Sequence, residues 1–220
     1  PDPELFYQSA AAFYQGQKYN QAREALQRLL KIKTTPKPAW LELLIHACLQ
    51  LKDHQGAEKT IKQLLKEQPE QVKYWKLLAQ VHLDRDKYQE AATALEIACN
   101  LKTPQPSEWE QLSSLYLYLN APLQAARCLE KAAAGNPEAE KCERLAGIYA
   151  RADRTDKALA YWDKAIEKKP CAQYYLEKGK LLYNTRRYQK ATKAFRECTR
   201  LDPEQGLAHL LLGYSAWECE

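Results

Sequence analysis

Residues 72–105 read VKYWKLLAQVHLDRDKYQEAATALEIACNLKTPQ and carry the pattern from which the architecture can be predicted. Its apolar residues recur at steps of three and four on both sides of a polar link at residues 84–87, which is typical of two amphipathic helices that fold back on each other. Small and large side chains alternate along both segments at Trp75, Leu78, Ala79, Tyr88, Ala91, Leu95 and Ala98. Because helices that cross at close range need small side chains at the crossing, the stretch predicts a tight helical hairpin.

One alanine repeats along the chain in the phase of this hairpin, at steps of 33 to 35 residues. The recurring residues are Ala22, Ala57, Ala91, Ala125, Ala158 and Ala191. One hairpin buries too little surface to offset its chain entropy, so we expect the hairpins to stack. The phase predicts a single domain over 1–220, with repeats at approximately 3–36, 38–71, 72–105, 106–138, 139–171 and 172–205 and a partial repeat at 206–220.

Composition favours an all-α class of protein that has no membrane span and does not bind nucleic acid. Hydrophobic residues make up 45% of the 220 residues, and only 7 Gly and 11 Pro interrupt the helix-forming ones. No apolar run approaches the ~20 residues that a membrane-spanning helix needs. The net charge of +5 comes from 33 basic and 28 acidic residues that are intermingled, which is typical of a solvated helical surface.

The sequence lacks the residue arrangements that enzymes and metal sites use. No two of the four histidines form an HExxH motif or a pair four residues apart, and the seven cysteines include no CxxC pair. The seven glycines stand alone, so no glycine-rich loop is present to hold a phosphate. We therefore expect no enzymatic activity, no catalytic residue, no metal and no cofactor.

The repeat resembles the tetratricopeptide repeat, a helix-turn-helix unit of 34 residues. The fourth repeat carries the spaced set of large and small residues of that family at Trp109, Leu112, Ser113, Tyr116, Ala125, Leu129, Ala132 and Pro137. The resemblance implies a right-handed superhelical solenoid of antiparallel helix pairs. It also implies a non-catalytic scaffold that binds a peptide or a partner protein in a concave groove lined by the first helix of each pair.

The repeat phase predicts which side chains face this groove. They are Tyr7, Tyr14, Glu42, His46, Leu49, Lys73, Lys76, Gln80, Leu83, Glu110, Ser114, Leu117, Glu143, Lys180 and Tyr183. The mixture of aromatic, aliphatic and weakly charged groups suits a peptide that apolar anchors hold while polar groups fix its register.

Three further expectations concern the biological setting. The link at residues 119–122 and its neighbours are similar to the tetratricopeptide proteins that accompany bacterial TonB and ExbB energy-transduction systems, which implies a periplasmic protein in an envelope motor or transport complex. There are two alternatives, a cytoplasmic adaptor or cochaperone-like module and a self-assembling solenoid. Against the cochaperone-like module, Glu140 stands where a cation would be needed to bind a peptide carboxylate. Weak self-association would use the C-terminal end, where Leu211 and Trp217 are candidates for an exposed apolar face.

Overall fold

A computed structural model describes residues 2–32 and 35–219. These residues form thirteen α-helices and no β-strand, which confirms the all-helical prediction. They fall into two compact units, unit 1 running up to Pro104 and unit 2 starting at Gln105.

Unit 1 consists of three antiparallel helical hairpins. The pairs are α1 (Pro3–Gln15) with α2 (Tyr19–Ile32), α3 (Pro38–Gln50) with α4 (His54–Glu67), and α5 (Val72–Leu83) with α6 (Tyr88–Leu101). The second helix of one hairpin packs on the first helix of the next, α2 on α3 and α4 on α5, so the hairpins stack in chain order.

Unit 2 repeats this arrangement and adds one helix. Its pairs are α7 (Pro106–Tyr118) with α8 (Pro122–Ala132), α9 (Ala139–Arg151) with α10 (Thr155–Lys168), and α11 (Ala172–Asn184) with α12 (Tyr188–Leu201). The added helix α13 (Gly206–Trp217) packs on α12. Pro170 and Pro203 lie two residues beyond the ends of α10 and α12, where a residue without an amide proton stops the helix.

Every hairpin link is closed by the same turn. The amide that follows a residue of positive φ donates to the carbonyl five residues back, with N···O distances of 2.8–2.9 Å, which is the Schellman arrangement. The positive-φ residues of the six links are Gln17, Lys52, Asp86, Asn120, Asp153 and Arg186. The second helix begins two residues after the positive-φ residue in every link. The turn therefore sets where each second helix begins relative to the end of its first helix.

The recurring alanines lie at the helix crossings. All six are fully buried, which is the packing that the repeat phase predicts. In the sixth hairpin the crossing is tighter still, because a Cβ atom on Gly179 would lie 2.7 Å from Cδ1 and 2.9 Å from Cζ of Phe195. Phe195 is itself fully buried, so the absent side chain of Gly179 provides the space that the ring fills.

Candidate functional site

The predicted groove residues all lie on first helices, and none of them is buried. We call the accessible faces of α1, α3 and α5 the first-helix surface of unit 1, and those of α7, α9 and α11 the first-helix surface of unit 2. The exposed members are His46, Lys73, Lys76, Gln80 and Ser114. The half-buried members are Tyr7, Tyr14, Glu42, Leu49, Leu83, Glu110, Leu117, Glu143, Lys180 and Tyr183.

In unit 1 the structure brings Glu42 of α3 together with Lys73 and Tyr74 at the start of α5. The carboxylate of Glu42 accepts hydrogen bonds from Lys73 Nζ at 2.5 Å and from the Tyr74 hydroxyl at 2.6 Å. Burial alone would raise the pKa of Glu42, but these two hydrogen bonds and the charge of Lys73 outweigh it and lower the pKa. The cluster therefore holds a carboxylate and an ammonium group in a fixed ion pair between two successive first helices.

The remaining predicted residues of unit 1 offer mainly apolar and neutral polar groups. Leu49 and Tyr7 pack with part of their surface against the core of unit 1 and leave the rest accessible. Gln80 Nε2 donates to Asp84 Oδ1 at 2.7 Å, and His46 is exposed one turn from Leu49. These residues can supply apolar anchors beside hydrogen-bonding groups.

In unit 2 the corresponding charged pair joins Glu110 of α7 to Lys141 of α9 at 2.8 Å. The hydrogen bond from Lys141 lowers the pKa of Glu110, against the opposing effect of burial. Glu143 lies near Tyr174, whose pKa is raised to about 12 by burial and by the charge of Glu143. As in unit 1, a carboxylate on one first helix is tied to a residue near the start of the next.

A ladder of such pairs runs along the first helices and was not predicted from the sequence. In each rung a carboxylate on a first helix pairs with a lysine 29 to 33 residues later, within three residues of the start of the next first helix. The rungs are Glu4–Lys37 at 3.1 Å and Glu42–Lys73 at 2.5 Å in unit 1, and Glu110–Lys141 at 2.8 Å and Glu140–Lys169 at 3.3 Å in unit 2. The recurring Glu-to-Lys spacing is the signal in the sequence that could have revealed it.

A second unpredicted cluster lies between α8, α9 and α10. The carboxylate of Glu130 accepts hydrogen bonds from the hydroxyls of Tyr149 at 2.7 Å and Tyr161 at 2.9 Å, and the two rings stack with centroids 5.7 Å apart. Burial, followed by the hydrogen bond to Glu130, raises the pKa of both phenols. Two tyrosines that share one carboxylate acceptor hold three helices in register.

The thiols are mostly buried packing groups. Burial raises the pKa of Cys48 to about 11 and also raises the pKa values of Cys142 and Cys198, so these thiols stay protonated near neutral pH. Among the residues that the structure describes, no group of three or more His, Cys, Asp and Glu could hold a metal ion. Over the same residues, no helix is both long and apolar enough to cross a bilayer.

Solved structures with similar folds include three of varied origin. The C-terminal part of a TPR repeat-containing protein from Cytophaga hutchinsonii is 18% identical, with a TM-score of 0.55 over 96% of this chain and 88% of that one. YrrB, described as a TPR protein with an unusual peptide-binding site, is 16% identical, with a TM-score of 0.50 over 86% of this chain and 97% of that one. The structure of Naa15/Naa10 bound to HypK-THB is 12% identical, with a TM-score of 0.75 over 99% of this chain but 34% of that one. At these identities the likeness concerns the fold alone.

Sequence comparison gives the family. No curated protein matches the chain. Residues 12–81 match one family model described as a tetratricopeptide repeat, and residues 144–205 and 176–218 match another with the same description, so the matches cover more than half of the chain. Together with the stacked hairpins and their buried alanine crossings, they establish that the chain belongs to the tetratricopeptide repeat family.

Proposed function

We propose that the chain is a non-catalytic scaffold whose first-helix surface binds a peptide or an extended segment of a partner protein. Proteins of this family generally mediate protein–protein interactions, and their fold is typically a non-catalytic scaffold. The observation that carries the proposal is the accessibility of all fifteen predicted groove residues on the first helices, while the recurring alanines of the second helices are buried.

The composition of the unit 1 surface supports a peptide as the occupant. Leu49 and Leu83 are half-buried, so each presents a supported apolar patch on which a partner side chain can be desolvated. Beside them, His46 supplies a hydrogen-bonding group, and the Glu42–Lys73 pair supplies fixed charges that can set the register of a bound segment. The described peptide-binding site of YrrB, a protein of similar fold, agrees with such a role.

A comparison of matched surface variants tests the proposal. A photo-crosslinking residue at position 46 on α3 should capture a partner from native extracts, while the same residue at the exposed Lys59 on α4 should not. The affinity of the purified partner should then fall about tenfold or more with His46→Glu combined with Leu49→Glu, and stay unchanged with Lys59→Glu. Equal capture at both positions, or equal affinity of all variants, would refute binding at the first-helix surface.

Self-assembly is a second candidate function, favoured by the surface of α13. Leu207, Leu210, Tyr214 and Trp217 are exposed at helical steps of three, four and three, and Trp217 is 71% exposed. Such a stripe can pair with an equivalent stripe on a second copy. Light scattering should then show mass increasing with concentration, and Trp217→Glu should abolish the increase. Leu211, the other residue predicted to lie on this face, packs against the core of unit 2 and would contribute less.

For the peptide-binding scaffold we propose a periplasmic setting beside a TonB- or ExbB-type motor, which rests on sequence likeness around residues 119–122. It is tested by asking whether the tagged chain copurifies with motor proteins from bacterial membranes and is released with periplasmic contents. Copurification with cytosolic chaperones instead would favour the alternative of a cytoplasmic adaptor. Against that alternative, Glu140, already paired with Lys169 at 3.3 Å, stands where a cochaperone-like domain would need a cation for a peptide carboxylate.

A further inference from the structure

A groove in unit 2 is lined mainly by residues of second helices. It has a volume of about 510 Å³. Its lining residues come from α10, α11 and α12, and from Arg187 just before α12. On α11 it is lined by Tyr175, Lys178 and Leu182, which follow one another at steps of three and four and so share one stripe of the helix. Lys180 and Tyr183, the predicted first-helix surface residues of α11, do not line it.

The α11 wall of the groove carries a residue that departs from the pattern of the four preceding repeats. The first helices of the second to fifth repeats each bury a leucine at the same repeat position, and these are Leu44, Leu78, Leu112 and Leu145. One step of 33 residues further along, the same position is Lys178. Its ammonium group pairs with Asp163 of α10 instead of filling the contact between α10 and α11. Lys178 and Asp163 both line the groove.

The floor of the groove is apolar. Leu159 of α10, Leu182 of α11 and Ala194 of α12 are all buried, and the exposed Ala160 lies beside them. A partner side chain of the size of leucine or phenylalanine could be desolvated on this floor, which favours an apolar group in the occupant.

The charges on the rim indicate which charged residues the bound segment should carry. The acidic residues that line the groove are already paired: Asp163 with Lys178, Asp156 with Arg187 at 2.8 Å, and Glu197 with Arg200 at 2.9 Å. Lys190 and Lys193 of α12 line the same groove, and no carboxylate in the described part of the chain lies within ion-pair distance of either. The uncompensated charge is thus two lysines three positions apart on one helix.

We propose that this groove is a second docking site, and that it binds a short acidic polypeptide segment in which a Leu, Phe or Tyr side chain lies next to Asp or Glu. The apolar residue sits on the floor, and the acidic residues face Lys190 and Lys193. A polyanion such as nucleic acid fits less well, because the rim also carries the three carboxylates and the floor offers no charged contact. None of the fifteen predicted first-helix residues lines this groove, so the chain can hold two segments at once.

Selection from a displayed library of random peptides about twelve residues long tests the proposal. Peptides are selected on the parent chain and then subtracted on the double variant Lys190→Glu, Lys193→Glu. We expect a set that the double variant fails to retain, rich in Asp or Glu beside Leu, Phe or Tyr. Peptides bound at the first-helix surface are retained by the double variant and form the other fraction, so failure of this inference and failure of the proposed function are distinguishable.

Affinities in solution complete the test. The selected peptides should bind the double variant about tenfold or more weakly than the parent, because two attractive contacts become repulsive. Arg196→Glu makes the same charge reversal on α12 at an exposed residue outside the groove and should bind like the parent. Ala160→Trp fills the groove from an exposed position and should also abolish binding while the circular dichroism melt stays unchanged.

Three results would overturn the inference. The first is a library without peptides that depend on the two lysines. The second is a lysine-dependent set without acidic residues. The third is equally lysine-dependent binding of a fluorescein-labelled single-stranded oligonucleotide, which would assign the groove to nucleic acid.

Discussion

Gly179→Ala tests whether the crossing of α11 and α12 is as tight as the structure shows. The added methyl group would lie 2.7 Å from Cδ1 of Phe195, about 1 Å inside the ordinary carbon–carbon contact distance. Phe195 is rigid and fully buried, so the ring can make room only by displacing its own neighbours. Gly147→Ala on α9 provides the matched control, because a methyl group there meets nothing within 4 Å.

The two substitutions should change stability in opposite directions. Replacing a glycine inside a helix by alanine stabilises the helix by about 0.8–1 kcal/mol, and this gain applies to both positions. Overpacking of a buried crossing costs about 1–3 kcal/mol, and this cost applies to Gly179 alone. We therefore expect Gly147→Ala to stabilise the chain by up to about 1 kcal/mol and Gly179→Ala to be less stable than Gly147→Ala by about 1–3 kcal/mol.

Urea unfolding followed by circular dichroism measures this difference, since the helix-propensity gain cancels between the two variants. A second measurement isolates the ring: Phe195→Leu should cost less in the Gly179→Ala background than in the parent, because the smaller side chain relieves the overlap. If Gly179→Ala proves as stable as Gly147→Ala, or if the cycle shows no coupling with Phe195, the tight crossing is refuted.

Three further outcomes are expected. The pKa values of Tyr149 and Tyr161 are raised in the folded chain, so these phenols ionise first in the unfolded chain, and their stabilising contribution is complete below about pH 10 and is lost above it. The urea midpoint should fall above that pH, and it should fall less when both residues are replaced by Phe. An absorbance titration in which both phenols ionise near pH 10 would contradict this. At pH 8, iodoacetamide should modify the exposed Cys219 quickly and the buried Cys48, whose pKa is raised to about 11, only after unfolding, as intact-mass spectrometry can follow. Lys52→Gly should raise the free energy of unfolding by about 0.5–1 kcal/mol, because Lys52 holds a φ of 55° that glycine adopts without strain, and a lower urea midpoint would argue against it.

Much of the fold could be predicted because it depends on periodicity. The phase of the alanines reports a steric requirement that each repeat meets separately, so a residue such as Ala125 could be placed at a buried crossing without any long-range information. The turn conformation could not be read from residue types, since Gln17, Lys52 and Arg186 hold positive φ at positions where glycine is the usual signal.

The candidate sites also combine features that could be predicted from the sequence with features that could not. The helical period places His46 and Leu83 on accessible faces, because that depends only on the orientation of a residue within its own helix. The pairing of Glu42 with Lys73 depends on the offset between successive hairpins, which a single helix does not encode. Lys178 is visible in the sequence as a lysine at a leucine position, but the apolar floor of the groove beside it comes from three helices that only the folded chain brings together.

The ladder of glutamate–lysine pairs gives each unit one side that responds to ionic strength and one that does not. Exposed ion pairs weaken as dissolved salt shortens the screening length, which is about 8 Å under physiological conditions, whereas the buried alanine contacts are indifferent to it. Added salt should therefore loosen neighbouring hairpins along the ladder edge first and make that edge more compliant. A segment bound at that edge would meet a rigid surface at low ionic strength and a more flexible one at high ionic strength, with the helical core unaltered.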